Sequence, residues 1–183
     1  MTARRIVIAQ TDELEHLRLA DLTELCAAAF AELPETVWTG KGPGLHVMAV
    51  DGGRVVGHAM IVDRAIHLGD DADVSLDVGY VELVATWPDV QGQGHGTAVM
   101  RRVGEIIGQE YALGALSTRS NGFYARLGWE TWRGPTAVRT ADGQRVRSAA
   151  EDGHVMVLRT PRTPTHLRLD APISVDWRPG DIW

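Results

Sequence analysis

A chain of 183 residues with 44% hydrophobic residues is the length of one domain and can bury a substantial core. Its net charge of −6 argues against nucleic acid as a partner and suits a cationic small molecule better. A single cysteine excludes an intrachain disulfide, and no apolar run reaches the roughly 18 residues a membrane span needs.

The N-terminus opens like a strand and lacks a signal-peptide core, so the expected location is the cytoplasm. Ile6–Gln10 reads as that first strand. Leu14–Leu33 reads as a helix, with Leu22, Leu25, Cys26, Ala29, Phe30 and Leu33 spaced along one face, and Pro34 ends it. Cys26 on that face reads as a core thiol. The loop 34–44 carries Glu35 and Trp38 and is of the kind that lines sites. His46–Val50, the turn Asp51-Gly52-Gly53 and Arg54–Val62 form a hairpin signal. A second pair follows as Arg64–Leu68, an acidic turn, and Val74–Thr86. Thr97–Gln109 reads as a helix, Ala112–Ser117 as a strand, Ser120–Leu127 as a short helix closed by Gly128, and Trp129–Trp132 as a strand. Thr140–Gly153 reads as a polar, loop-like insertion, and Val155–Leu158 and Ile173–Trp177 are the last strands. This order predicts an α/β three-layer domain with a mixed sheet spanning 1–183.

Chemistry concentrates where the strand ending at Thr86 meets Gln91-Gly92-Gln93-Gly94-His95-Gly96-Thr97. Closely spaced glycines let backbone approach a bulky ligand, and the helix behind them offers free N–H groups and a positive dipole end. That is a pyrophosphate cradle, although a tight strand–helix turn without a ligand has the same look. The mid-chain position and spacing differ from a dinucleotide fingerprint, and no Gly-Lys-Ser/Thr ending marks a Walker loop. Glu82 stands alone in an apolar strand, with Val81, Leu83 and Ala85 alternating against Tyr80, Glu82, Val84 and Thr86. It is either a solvated edge carboxylate or a general base. Tyr124 in the short helix is either a packed ring or an acid. The tail Ser174–Trp183 ends on a large aromatic, read either as a stapled tail or dimer contact or as a ligand for ammonium groups through Asp181 and the terminal carboxylate of Trp183. His46, His58, His67, His95, His154 and His166 show no metal-ligand spacing, so no metal is expected.

The spacing Gln91-x-x-Gly94-x-Gly96 after a strand, followed by Tyr124-x-x-x-Gly128-Trp129, resembles the GCN5-related N-acetyltransferases (GNATs). The stretches Tyr80–Ala85, Gly128–Thr136 and Asp176–Trp183 narrow the resemblance to the aminoglycoside 2′-N-acetyltransferases over nearly the whole chain. The resemblance implies the GNAT fold (α/β, in its α+β form), a mixed, mostly antiparallel central sheet flanked by helices. It implies acetyl-CoA as co-substrate, held by Leu83, Val84, Gln91, Gly92, Gln93, Gly94, His95, Gly96 and Thr97. Glu82 would be the water-mediated base and Tyr124 the acid, while Glu32, Glu35, Trp38, Glu82, Ser117, Asp152, Asp181 and Trp183 would contact the aminoglycoside. It also implies a homodimer.

One departure bears on the substrate. The loop Ala31-Glu32-Leu33-Pro34-Glu35-Thr36-Val37-Trp38 is about one residue shorter than the family pattern, and Val37 stands where an acid is expected. Fewer carboxylates suit a smaller amine, so kasugamycin and the 2-deoxystreptamine aminoglycosides stand as equal expectations. Other readings are an acetyltransferase for another small amine or a peptide, and a non-catalytic acyl-CoA-binding module.

Overall fold

The computed structural model describes residues 4–14, 19–30, 42–69, 74–179 and 182–183. They gather into two compact units, one of residues 1–62 and 81–105, the other of 63–80 and 106–183. The strands are β1 (Arg5–Gln10), β2 (Leu45–Asp51), β3 (Arg54–Leu68), β4 (Val74–Thr86), β5 (Leu113–Ser117), β6 (Glu130–Thr131), β7 (Thr136–Arg139), β8 (Arg145–Arg147), β9 (Val155–Arg159) and β10 (Ile173–Asp176). The helices are α1 (Leu19–Ala29), α2 (His95–Glu110) and α3 (Asn121–Ala125). The chain passes from one unit to the other inside β3, inside β4 and inside α2.

In the first unit β2 pairs antiparallel with both β1 and β3. One face of these strands packs on α1, where Leu22, Leu25 and Cys26 join Met48, Val50, Val55 and Ala85 in a common core. Burial pushes the Cys26 thiol up to about 12, so it is inert filling, as its place on the apolar face predicts. The other face meets α2: a Cβ at Gly57 would lie 3.5 Å from Val99 and 3.6 Å from His95.

In the second unit β5 runs parallel to β4 and antiparallel to β9, which pairs with β6. On the other side β10 pairs antiparallel with β3 and parallel with β7, which pairs with β8. Parallel pairing of β4 and β5 needs a crossover, and α2 supplies it. Trp132 is fully buried and donates its indole N–H to the Ala171 carbonyl at 2.8 Å. A mixed, mostly antiparallel sheet with helices is what the sequence led us to expect.

Several boundaries differ. The helix expected over 14–33 is described as α1 from Leu19 to Ala29, and 15–18 and 31–41 lie outside the described residues. The two segments expected on either side of Asp63 are one 15-residue strand, β3. Asp63 stays exposed there and accepts the Tyr111 hydroxyl at 2.5 Å, so a charged residue does not break the ladder. The insertion expected over 140–153 contains β8 and a short 3-10 turn (Ala149–Glu151). Its hairpin turn is closed by Thr140 N–H on the Gln144 carbonyl, with Gly143 at φ 82°. Asp142-Gly143 was the signal for it, masked by a strand with only one apolar residue, Val146. β7 was also unforeseen; it is short and reads as a continuation of a turn.

Gly134 and Gly108 give opposite expectations. A Cβ at Gly134 would sit 1.8 Å from the Ala171 carbonyl oxygen, whereas one at Gly108, inside α2, meets nothing within 4 Å. Gly134→Ala should cost at least about 2 kcal/mol because backbone must move. Gly108→Ala should be neutral or stabilise by up to about 1 kcal/mol through helix propensity. Urea unfolding of both variants against the parent chain measures the difference.

Candidate active site

β4 runs into a 3-10 turn (Pro88–Val90), and the glycine turn then delivers the chain into α2. Arg54 pins this approach by pairing with Asp89 at 3.0 Å and lying 4.2 Å over the Trp87 ring. Trp87 donates its indole N–H to the Val55 carbonyl at 2.8 Å. Gly92 and Gly94 have φ of 78° and 82°, which side-chain-bearing residues rarely adopt. The first helical bond runs from Ala98 N–H to the Gly94 carbonyl at 3.0 Å. The amides of His95, Gly96 and Thr97 therefore precede the helical ladder and keep their N–H groups for a ligand. Gln91, Gly92, Gln93 and Gly94 are exposed, and a Cβ at Gly92 would meet nothing within 4 Å. An open turn of free amides at the positive end of a 16-residue helix fits a pyrophosphate. His95 is 6% exposed, with its ring turned inward, so it contributes backbone rather than imidazole to the turn.

Upstream, β4 carries a backbone irregularity. Leu83 has φ 51°, alone among the described non-glycine residues in the left-handed region. For a leucine this costs on the order of 1–2 kcal/mol, so the surroundings must enforce it. The Leu83 carbonyl accepts a hydrogen bond from His58 Nδ1 at 2.9 Å. His58 Nε2 lies 2.9 Å from His46 Nδ1, and His46 Nε2 lies 3.1 Å from the Thr11 hydroxyl. Both imidazoles are fully buried and stack with centroids 5.2 Å apart. Burial drives His46 down to about 4, and burial together with its neighbour His46 drives His58 down to about 3, so both are neutral near pH 7. Glu82, one residue before the irregularity, is 7% exposed. The solvated-edge alternative for this carboxylate does not match that burial, and strict alternation along the strand is interrupted at Leu83.

In the second unit Tyr124 is 7% exposed in α3, edge-on to Phe123 and Trp129. Burial pushes its phenol up to about 12, with a Thr118 hydroxyl bond pulling the other way, so it is a neutral donor near pH 7. Ser117, at the end of β5, donates its hydroxyl to Glu151 at 2.8 Å. Asp152 is engaged within the protein. It takes a two-pronged ion pair from Arg147, the Thr136 amide at 3.0 Å and the Thr136 hydroxyl at 2.9 Å. The C-terminus is docked: Trp183 donates its indole N–H to Ser148 Oγ at 2.9 Å, and Arg64 donates to the Ile182 carbonyl at 2.5 Å.

The first unit thus brings together Glu82, Leu83, Val84 and the turn from Gln91 to Thr97, and the second places Ser117, Tyr124, Asp152 and Trp183. Glu32, Glu35, Trp38 and Asp181 lie outside the described residues. Among the described residues no group of three or more His, Cys, Asp or Glu is gathered as for a metal. Sequence reading passed over two features. His46 and His58 were judged scattered because their spacing was tested only for metal ligation, yet each stands inside an apolar strand, where a buried imidazole needs a partner. Glu151 was overlooked beside Asp152, although the Ser117 hydroxyl goes to Glu151.

An acetyltransferase (GNAT) domain model matches residues 12–132. The chain is 33% identical over 181 residues to an aminoglycoside 2′-N-acetyltransferase from Mycolicibacterium fortuitum, covering 96% of this chain and 90% of that protein. A GNAT family N-acetyltransferase from Escherichia coli, solved in complex with CoA, superposes with TM-score 0.64 at 14% identity, over 96% of this chain and 92% of that one. A GCN5-related N-acetyltransferase from Kribbella flavida superposes with TM-score 0.56 at 22% identity over 73% of this chain, which spans 34% of that larger one.

The Asp152 cluster carries a pH signature. Chiefly Arg147, with the Thr136 amide and hydroxyl, holds this carboxyl well below the usual carboxylate range of about 4. A depressed folded-state value favours the fold above about pH 4, and that contribution is lost as pH falls through the folded value. Asp152→Asn should therefore destabilise the chain at pH 6 to 7, and the gap to the parent should shrink below about pH 4. Urea unfolding across pH 3 to 7 reads this directly.

Proposed function

The chain belongs to the acetyltransferase (GNAT) family, and from that premise we propose that it transfers acetyl from acetyl-CoA to the 2′-amino group of an aminoglycoside antibiotic. The supporting observation for the cofactor is the open glycine turn that feeds free amides into the N-terminus of α2 beyond β4. The substrate class is supported by identity of 33%, across almost the whole chain, to a relative bearing that activity in its name. A net charge of −6 suits a polycationic acceptor.

Acetyl-CoA supplies an activated acetyl group as a thioester. The protein must position the amine, take its proton, stabilise the oxyanion and receive the leaving thiolate. In this reading the amides of Gln91 to Thr97 hold the pyrophosphate, and Leu83–Val84 present backbone to the pantetheine arm. Glu82 takes the amine proton through water, and Ser117 and Trp183 contact the acceptor. Tyr124 donates a hydrogen bond to the leaving sulfur. A phenol near 12 would give its proton outright to an ordinary thiolate, of pKa about 8.5, only uphill, so its role is that of a donor. Asp152, already engaged, shapes the region, and Glu151 is the carboxylate beside Ser117. The reading takes 1–183 as one acetyltransferase domain working in the cytoplasm as a homodimer. The acceptor is kasugamycin or a 2-deoxystreptamine aminoglycoside.

Thiol release from acetyl-CoA over a panel of kasugamycin, gentamicin, tobramycin, kanamycin A (which lacks a 2′-amine) and simple polyamines tests the substrate. Turnover is expected with 2′-amino compounds and not with kanamycin A; turnover of polyamines alone would overturn the assignment. With the best acceptor, Glu82→Gln should lower kcat by about 10²-fold or more. Tyr124→Phe should lower it by roughly 10²-fold as one transition-state donor is lost. Unchanged kcat in either variant removes that residue from the mechanism.

A further inference from the structure

Two fully buried histidines of the first unit, His46 and His58, have no part in the scheme above, and their geometry is directional. A carbonyl only accepts, so His58 Nδ1 carries the proton on the 2.9 Å bond to Leu83. A neutral His58 then has a bare Nε2, which accepts from His46 Nδ1 at 2.9 Å. His46 is left with a bare Nε2 facing the Thr11 hydroxyl at 3.1 Å. Thr11 is itself fixed, since the Gly44 amide donates to its oxygen at 2.9 Å. The Thr11 hydroxyl also donates to the Gly44 carbonyl at 3.0 Å, so the fixed sense belongs to the two links from His46 to His58 and from His58 to Leu83, running from β2 through β3 to β4.

The carbonyl at the far end belongs to the peptide joining Leu83 and Val84. That peptide is planar and trans, so its C=O and its N–H point in opposite directions. A carbonyl held toward His58 sends the Val84 N–H away from the imidazole pair. The residue that carries this carbonyl, Leu83, sits at φ 51°, a conformation leucine rarely adopts.

We propose that His46 and His58 are positioning residues that aim the Val84 N–H at the acetyl thioester. This rests on the reading of Leu83–Val84 as the cofactor-binding strand. Neither imidazole touches a reacting atom; both act through the Leu83–Val84 peptide. The neutral state that burial imposes on both rings keeps the relay in its single sense near pH 7.

The side chains that can replace His58 separate aiming from filling. The Asn amide nitrogen falls near imidazole Nδ1 and can still donate to Leu83. The Gln amide reaches the Nε2 position and leaves Leu83 without its donor, although Gln is closer to His in bulk. His58→Gln should lower kcat/KM for acetyl-CoA on the order of 10²-fold, the scale of a small misplacement at the reacting centre. His58→Asn should stay within a few-fold of the parent. A role in packing alone predicts the reverse order. Equal losses, or Gln outperforming Asn, overturn the proposal.

Two measurements need no acceptor amine. Calorimetric CoA affinity should follow the same order, weaker in His58→Gln than in His58→Asn. Imidazole nitrogen NMR of the parent protein at pH 7 should show both rings neutral with the proton on Nδ1, and an Nε2 proton on His58 refutes the relay whatever the variants do. A parent that binds CoA but acetylates no aminoglycoside sinks the substrate assignment and leaves these two tests to decide the relay.

Discussion

A strand that pairs all its backbone groups with neighbours has none to offer a ligand, and in the first unit the regular backbone of β4 is broken at Leu83. The left-handed residue takes one peptide of β4 out of the regular pattern, and His58 accounts for its carbonyl. A few residues on, the chain leaves the strand and the glycine turn leaves amides outside the helical ladder, because a helix cannot bond its own first turn. The unit thus has irregular backbone at two successive places in the chain, the left-handed Leu83 and the glycine turn. Both are held by surrounding structure: Arg54 and Trp87 fix the approach to the turn, and the histidine pair fixes the strand.

The second unit meets a different demand, which is to hold polar residues in place around short and irregular elements. β6 has two residues and β8 three, too little ladder to be stable alone. Side chains take over. Asp152 joins Arg147 to the start of β7, Thr136 also bonds the Ser148 carbonyl, and Trp183 reaches Ser148. Carboxylates spent on such bonds cannot equally serve a substrate ammonium. That makes Glu151, which accepts the exchangeable hydroxyl of Ser117, the more available acid of the pair.

What could be read from the chain followed how local the signal was. The glycine turn announces itself through residues whose backbone freedom is their meaning, and α2 and β4 follow from it within two residues of their expected bounds. Cys26 declared its burial by position on a periodic face. Strand continuity through Asp63 was hidden, because an exposed charged residue resembles a break until its partner Tyr111, far along the chain, is known. The left-handed turn at Leu83 was not legible, since leucine carries no mark of φ. His46 and His58 were visible as polar residues in apolar strands, but their pairing depends on strand register. Met48 stands opposite His58 and Met60 opposite His46, which makes the histidines diagonal neighbours.

That register also explains why imidazole suits the task. Diagonal positions on adjacent antiparallel strands lie roughly 7–8 Å apart, so a side chain must extend sideways with a polar atom at each end. A neutral imidazole has a donor on one edge and an acceptor on the other, held rigid by the ring. Two in series keep that sense, and each buried nitrogen finds a partner without a charge. A carboxylate would only accept and would carry the cost of burying its charge; a lysine would only donate, at a similar cost. Asn or Gln could satisfy the same ends singly, but with more rotamers to freeze and a terminal amide free to flip. A rigid, neutral, one-directional pair is what the left-handed peptide of β4 requires if its N–H is to point the same way in every molecule.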